Sequence, residues 1–173
     1  MEADSHRRFL NATLPHLDAV YNVARRLARD LALADDLVQE TYLRAFKGFA
    51  GYQGGSMRGW LVSICLNTAR SEARRAQRRP GEALEANFEV ASGDDDVSEE
   101  AMASLERDAI VRALARLPEA QRTSVVLVDV AGLTAAEAAD LLACPRGTVL
   151  ARVHRGRRRL ATLLEREGIH RGM

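Results

Sequence analysis

The chain has 173 residues and a mass of 19.0 kDa, enough for one ordinary domain or two small ones. With 47% hydrophobic and 28% charged residues it reads as globular. Its longest uncharged run, Gly59–Ala69, is about half of what a membrane-spanning helix needs, and Met1–Arg8 has no apolar stretch of the secretory kind. Two cysteines, Cys65 and Cys144, make neither a disulfide framework nor a four-ligand metal site, so no metal or cofactor is expected and the compartment is read as cytoplasmic.

The net charge of +1 conceals a pattern: residues 1–79 sum to +5, 80–106 to −9 and 107–173 to +5. Taken in chain order, Leu17, Val20, Ala24, Leu27 and Leu31 recur at helical spacing. So do Val38, Tyr42, Ala45 or Phe46, and Phe49. Gly48–Ser56 holds four glycines in nine residues and reads as a loop. Met57, Leu61, Ile64 and Thr68 then mark a helix, with Trp60 beside them; the resemblance described below implies a core position for Trp60. Its continuation places Arg70, Arg74, Arg75, Arg78 and Arg79 within ten positions.

Pro80–Asp96 has no period and is rich in acid, Gly, Ser and Ala, so we expect a flexible linker over 80–100. Met102, Leu105, Ala109, Leu114 and Leu117 open a second helical module, punctuated by Pro118. The run Val125–Val130 fits a short helix or a strand. Gly132 suits a C-cap. Thr134-Ala-Ala-Glu137 has the capping-box form that starts a helix. Pro145 suits the first position of the next helix, whose buried stripe is Val149, Val153, Gly156, Leu160 and Leu163. The expected fold is therefore all-α: two small helical domains, 1–79 and 101–173, joined by an acidic linker.

A capped short helix, a tight turn and a second helix with a basic outer face form a helix-turn-helix signature. Arg146, Arg152, Arg155, Arg157, Arg158 and Arg159 fall within fourteen positions free of acid, and the guanidinium fork suits phosphate oxygens and base edges. One such cluster is as well explained by a solvated helix face; two, one in each module, favour a polyanion partner.

At this point the sequence resembles the extracytoplasmic-function sigma factors. Gly132–Leu160 looks like their region 4.2, Leu117–Arg122 like region 4.1, Ala34–Phe46 like region 2.2, and Arg58–Arg70 like the helix of regions 2.3 and 2.4. The resemblance implies a sigma region 2 domain at 1–79, a sigma region 4 domain at 101–173, and no catalytic residues. It implies three partners: core RNA polymerase, promoter DNA and an anti-sigma factor. Core polymerase would dock on Asp36, Gln39, Glu40 and Arg44, and the spacing of 36, 40 and 44 on one helix face fits that independently. The −10 element would meet Tyr52, Gln53, Gly54 and Ser56 in the glycine loop, then Asn67, Arg70, Arg74, Arg75 and Arg78, with Arg79 steering phosphates. Tyr52 is either a stacking platform for a flipped base or an anchor of its own loop. The −35 element would meet Arg146, Thr148, Leu150, Ala151, Arg152, His154, Arg155 and Arg158. Leu150 and Ala151 depart from the polar residues usual there, and they cannot donate to base edges, so reading through shape and phosphates is expected.

An enzyme lacks support: neither a Gly-x4-Gly-Lys loop nor His-Glu-x-x-His occurs, and the histidines at 6, 16, 154 and 170 have no metal-ligand spacing. A stand-alone helix-turn-helix regulator leaves the Asp35–Glu40 helix and the glycine loop without a role. Leu17, Tyr21, Leu133 and Leu141 fit either a core or a partner-facing surface.

Overall fold

The computed structural model describes residues 2–28, 30–78 and 99–168, the side chains of 2, 3 and 99–104 excepted. Residues 80–98 of the expected linker lie outside these, as does Arg79. The described elements are α1 (Glu2–Thr13), a 3₁₀ turn (Leu14–His16), α2 (Leu17–Leu27), α3 (Leu31–Gly48), a second 3₁₀ turn (Phe49–Gly51) and α4 (Met57–Gln77). After the linker come α5 (Glu99–Ala115), α6 (Glu119–Val125), a π turn (Val126–Val130), α7 (Ala135–Leu142) and α8 (Arg146–Arg166). There is no strand among the described residues, so Val125–Val130 resolves as the end of α6 and a widened helical turn.

Side-chain caps fix three starts. Asp30 accepts from the Leu33 N–H at 2.8 Å, Ser56 from the Gly59 N–H at 3.0 Å, and Thr134 with Glu137 completes the expected capping box. Gly132 adopts φ +70 just after the π turn, a value that favours glycine. Pro145 is the N-cap of α8 rather than its first residue, and its carbonyl accepts from the Thr148 N–H at 2.9 Å.

Helices α2, α3 and α4 pack on one another, and α8 packs on α5, α6 and α7. The buried stripe of α3 is Ala34, Leu37, Thr41 and Ala45, one residue removed from the expected Val38–Tyr42 row; Phe46 is 44% exposed. The cause is α1, a helix the hydrophobic spacing did not mark. Its Phe9 is buried edge-on against Tyr42, Phe46 and Phe49, so the aromatic flank of α3 is covered from outside rather than turned into the α3–α4 contact. Leu31 opens α3 instead of continuing α2, and both Leu31 and Leu17 are exposed. Leu105, expected in the α5 stripe, is 64% exposed. Buried hydroxyls are satisfied within their own helices: Thr13, Thr41 and Thr68 donate to the carbonyls of Phe9, Leu37 and Ile64.

One continuous core runs through both modules, from Phe9, Val20, Leu61 and Leu66 to Val126, Leu133, Val149 and Val153. Leu133 is buried where the N-terminal turn of α4 meets it, 3.9 Å from a Cβ built on Gly59. Arg58 donates to the Ala131 carbonyl at 3.5 Å, and Arg25 lies 3.8 Å from Asp108. The relative placement of the modules, which sequence left open, is thus a closed one.

Two backbone positions control the second module. A Cβ on Gly156 would stand 2.6 Å from Val125 Cγ2, so α6 and α8 approach as only glycine allows. Ala143 holds φ 48 in the turn between α7 and α8, where an L side chain is strained. Gly156→Ala is expected to destabilise by about 1–3 kcal/mol through overpacking. Ala143→Gly is expected to stabilise by about 0.5–1 kcal/mol, strain relief exceeding the added unfolded-state entropy. Urea denaturation of both variants checks the pair; equal midpoints would contradict this packing.

Candidate nucleic-acid interface

Helix α8 is buried along Val149, Val153 and Gly156, with Leu160 and Leu163 half-buried. That burial turns Arg146, Leu150, Ala151, His154, Arg155 and Arg158 outward, all exposed. The first N–H groups of α8 beyond Pro145 have no helical acceptor and suit an anion. Thr148 and Arg152 are half-buried, and Arg152 reaches the Cys144 sulfur at 3.7 Å. Arg157 donates twice to Asp129, its Nε at 2.9 Å from Oδ2, and that carboxylate raises its pKa further. Of the six clustered arginines, Arg157 is therefore tied inward to the π turn. Arg146, Arg155, Arg158 and Arg159 have no ion-pair partner among the described residues.

In the first module Gly54 and Gly55 take φ +92 and +96, a double left-handed turn that only glycine accepts without strain. Tyr52 donates its hydroxyl to the Gly55 carbonyl at 2.7 Å, stacks parallel on Phe49 at 6.5 Å and meets Trp60 at 5.0 Å. It anchors its own loop, and Trp60 is half-buried beneath it. Gln53 and Gly54 are exposed at the tip; Ser56 is exposed but its oxygen serves as the α4 cap. Along α4, Asn67, Arg70, Arg74 and Arg78 follow one face at spacings of three and four. Arg70 is half-buried and the others exposed, while Arg75 turns aside to Glu72 at 3.0 Å.

A third surface lies on α3. Asp36 and Gln39 are exposed, and Arg44 Nε donates to Glu40 at 2.6 Å, which holds the Glu40 carboxyl below its ordinary range. Leu33 and Leu43, the latter 56% exposed, lie on the same helical face as Asp36 and Glu40. Sequence reasoning missed both leucines; the signal was there, since neither fits the buried stripe. Large apolar side chains among charges mark a protein-binding surface better than a solvated face does. Tyr21 is exposed like Leu17, Leu133 is core, and Leu141 is half-buried.

No group of three metal-ligating side chains occurs among the described residues. Burial pushes the Cys65 thiol up to about 11. No helix among the described residues is long and apolar enough to cross a membrane.

Comparison with known proteins matches the family models of Sigma-70 region 2 over residues 14–79 and Sigma-70, region 4 over 107–160. The ECF RNA polymerase sigma factor SigE of Mycolicibacterium smegmatis is 37% identical over 150 residues, 86% of this chain and 58% of SigE. This chain thus spans little more than half the length of that relative. EcfG of Rhodopseudomonas palustris, also an ECF RNA polymerase sigma factor, is 34% identical over 166 residues, 95% of this chain and 88% of EcfG. Among solved structures, the sigma factor RpoE in complex with the anti-sigma factor NepR from Bartonella quintana is similar, with TM-score 0.78 and 29% identity. That similarity covers 92% of this chain and 98% of RpoE.

The thiol environments are testable directly. At pH 8 the folded chain should release colour from a disulfide reagent with a single rapid thiol, half-buried Cys144, and with two once denatured. Two rapid thiols in the folded chain would contradict the burial of Cys65.

Proposed function

The chain belongs to the sigma-70 family, in its extracytoplasmic-function group, and on that premise we propose which of its surfaces perform the work. It is an alternative sigma factor that binds core RNA polymerase and directs initiation at particular promoters. Residues 1–79 are its region 2 domain and 101–173 its region 4 domain, with 80–100 as the connector. Enzymatic activity forms no part of the reading, and the compartment is that of the chromosome, the bacterial cytoplasm.

Within this reading the α3 face of Asp36, Gln39, Glu40 and Arg44, with Leu33 and Leu43, docks on core polymerase. The loop tip Gln53–Ser56 and the α4 row Asn67, Arg70, Arg74 and Arg78 meet the −10 element, with Arg75 at the edge and Tyr52 shaping the loop. Arg146, Leu150, Ala151, His154, Arg155 and Arg158 face the −35 element, and Thr148 and Arg152 support them. One observation carries the proposal: a single chain presents two separate cationic faces and a third acidic–leucine face. A self-sufficient regulator needs no such third face, and it leaves the region 2 match idle. The similarity to RpoE held by NepR supports control by an anti-sigma factor.

The closed arrangement adds a requirement. Two elements about 25 base pairs apart are separated by roughly 85 Å of duplex. A compact chain of this length has a radius of gyration of about 16 Å, so its two reading faces cannot reach both at once. The contacts at Arg25–Asp108, Arg58–Ala131 and Gly59–Leu133 must part when the chain mounts on polymerase and promoter.

Transcription in vitro with core polymerase on a promoter library tests the function; no promoter-specific product would refute it. Glu40→Lys reverses charge at the docking face without touching the core. It should weaken polymerase binding at least tenfold while leaving circular dichroism unchanged and lowering Tm by no more than about 2–4 °C for the lost Arg44 pair, and full binding would remove α3 from the interface. Fluorophores at Ser5 and Ala161, exposed in opposite modules, should lose energy transfer when core polymerase and promoter are added. Constant transfer would show that the modules stay closed.

A further inference from the structure

Asp129 on the π turn and Arg157 on α8 lie 28 residues apart in sequence and meet in the second module. Arg157 donates from two nitrogens to two oxygens, its Nε to Asp129 Oδ2 at 2.9 Å and its Nη2 to Oδ1. Such a fork fixes direction as well as distance, because guanidinium and carboxylate are both planar and pair through two parallel hydrogen bonds. Stability does not account for it. The Arg157 side chain is 59% exposed and that of Asp129 31%, and an ion pair so open to water adds little.

What the pair fixes is a pivot. One residue earlier, Gly156 lies so close to α6 that a Cβ there would stand 2.6 Å from Val125 Cγ2. Helices α6 and α8 therefore touch at 156, and the tie to the π turn follows at 157. The π turn brings Asp129 to that point. Its Ala131 N–H donates to the Val126 carbonyl at 2.9 Å, five residues back, and a turn widened in this way re-aims the side chains along it. The other side-chain ties of α8 among the described residues are long: Arg152 to Cys144 at 3.7 Å, and Glu167 at its end to Arg112 and Arg116 at 3.6 and 4.0 Å. From Arg157 to Arg146 the helix runs about 16 Å, so a tilt of about 10° at the pivot moves its N-terminal end by roughly 3 Å. A contact that reads a base tolerates about 0.5 Å.

We propose that Asp129 is a positioning residue for reading the −35 element: acting through Arg157, it sets the angle at which α8 enters the major groove. Arg157 spends its charge on that task and not on a phosphate. The inference rests on the proposed function, whose −35 surface it deepens. Neither residue belongs to the row that faces the element.

The promoter library is transcribed with core polymerase and the intact chain, and preference is read separately at the −35 and −10 positions. Asp129→Asn keeps the shape of the side chain and removes a negative charge, so electrostatics alone would make the chain bind DNA more tightly. Positioning gives the opposite sign at one place. Preference among −35 sequences should fall about threefold or more, while the −10 preference holds and affinity for non-specific duplex does not drop. Arg157→Lys keeps the charge, loses the fork and should reproduce the −35 loss. Arg157→Gln should leave the log–log salt slope unchanged, and joining it to Asp129→Asn should cost no more than either change alone. Full −35 preference in Asp129→Asn or in Arg157→Lys overturns the proposal. So does a parallel loss of −10 preference or of non-specific affinity, which marks damage to the fold. A salt slope lowered by about one in Arg157→Gln also overturns it, because that marks a phosphate contact. A chain giving no promoter-specific product sinks the proposed function and this inference together, whereas a specific product whose −35 preference ignores Asp129 sinks this inference alone.

Discussion

Burying an unpaired guanidinium is costly, and that cost decides where most of this molecule's charge lies. The chain has a single lysine, Lys47, so arginine supplies nearly all its positive charge. Some arginines are spent within the fold: Arg44 on Glu40, Arg75 on Glu72, Arg157 on Asp129, Arg25 on Asp108. Arg26 and Arg122 are half-buried, each with a buried Nε that finds no hydrogen-bond partner among the described residues, and most of the others face water. Subtracting the internal pairs turns two loose clusters of sequence into two ordered rows, Arg70, Arg74 and Arg78 on α4, and Arg155, Arg159 and Arg166 on α8. The Arg157 case shows why the subtraction needs coordinates. Its partner is 28 residues away on a π turn, and nothing in the local spacing announces it.

The same one-sidedness explains the closed form. Each module spends one face on its own helices and exposes its cations on another, leaving a limited apolar remainder. In the first module that remainder lies at α2 and the N-terminal turn of α4; in the second, at the π turn and Leu133. Joining them makes one core of what the chain's charge pattern divides into two. Among the described residues the polar contacts across the join are a 3.8 Å ion pair and a 3.5 Å hydrogen bond, both weak by geometry. An interface of that kind suits a partner that must open it.

Helix existence was legible from spacing throughout α2–α8, and so were the capping box at Thr134 and the glycine cap at Gly132. Register was less so. On α3 an apolar residue stands at both 37 and 38, and the choice between them depended on α1, whose only strong signal is Phe9. The family match begins at residue 14 and so leaves α1 out as well. Ala143 was illegible for another reason: a left-handed turn is readable when glycine fills it and silent when alanine is forced there. At the interfaces, residue type located the charged positions. Only the fold showed that Tyr52 is committed to its own loop and that Leu33 and Leu43 share the carboxylate face.

The composition of the α8 surface divides affinity from specificity. The half that faces bases on the proposed reading offers Leu150, Ala151 and His154, of which only the imidazole can hydrogen-bond, while Leu150 is exposed and apolar. On that reading such a face meets thymine methyls and discriminates modestly. The cations lie mostly further along the helix, at 155, 158, 159 and 166, and on that reading they meet phosphates and read little sequence. On the proposed reading, binding by the second module is therefore dominated by salt-dependent contacts. Selectivity must then come from duplex shape, from the glycine loop of the first module, and from the fixed separation that polymerase imposes once the closed form has opened.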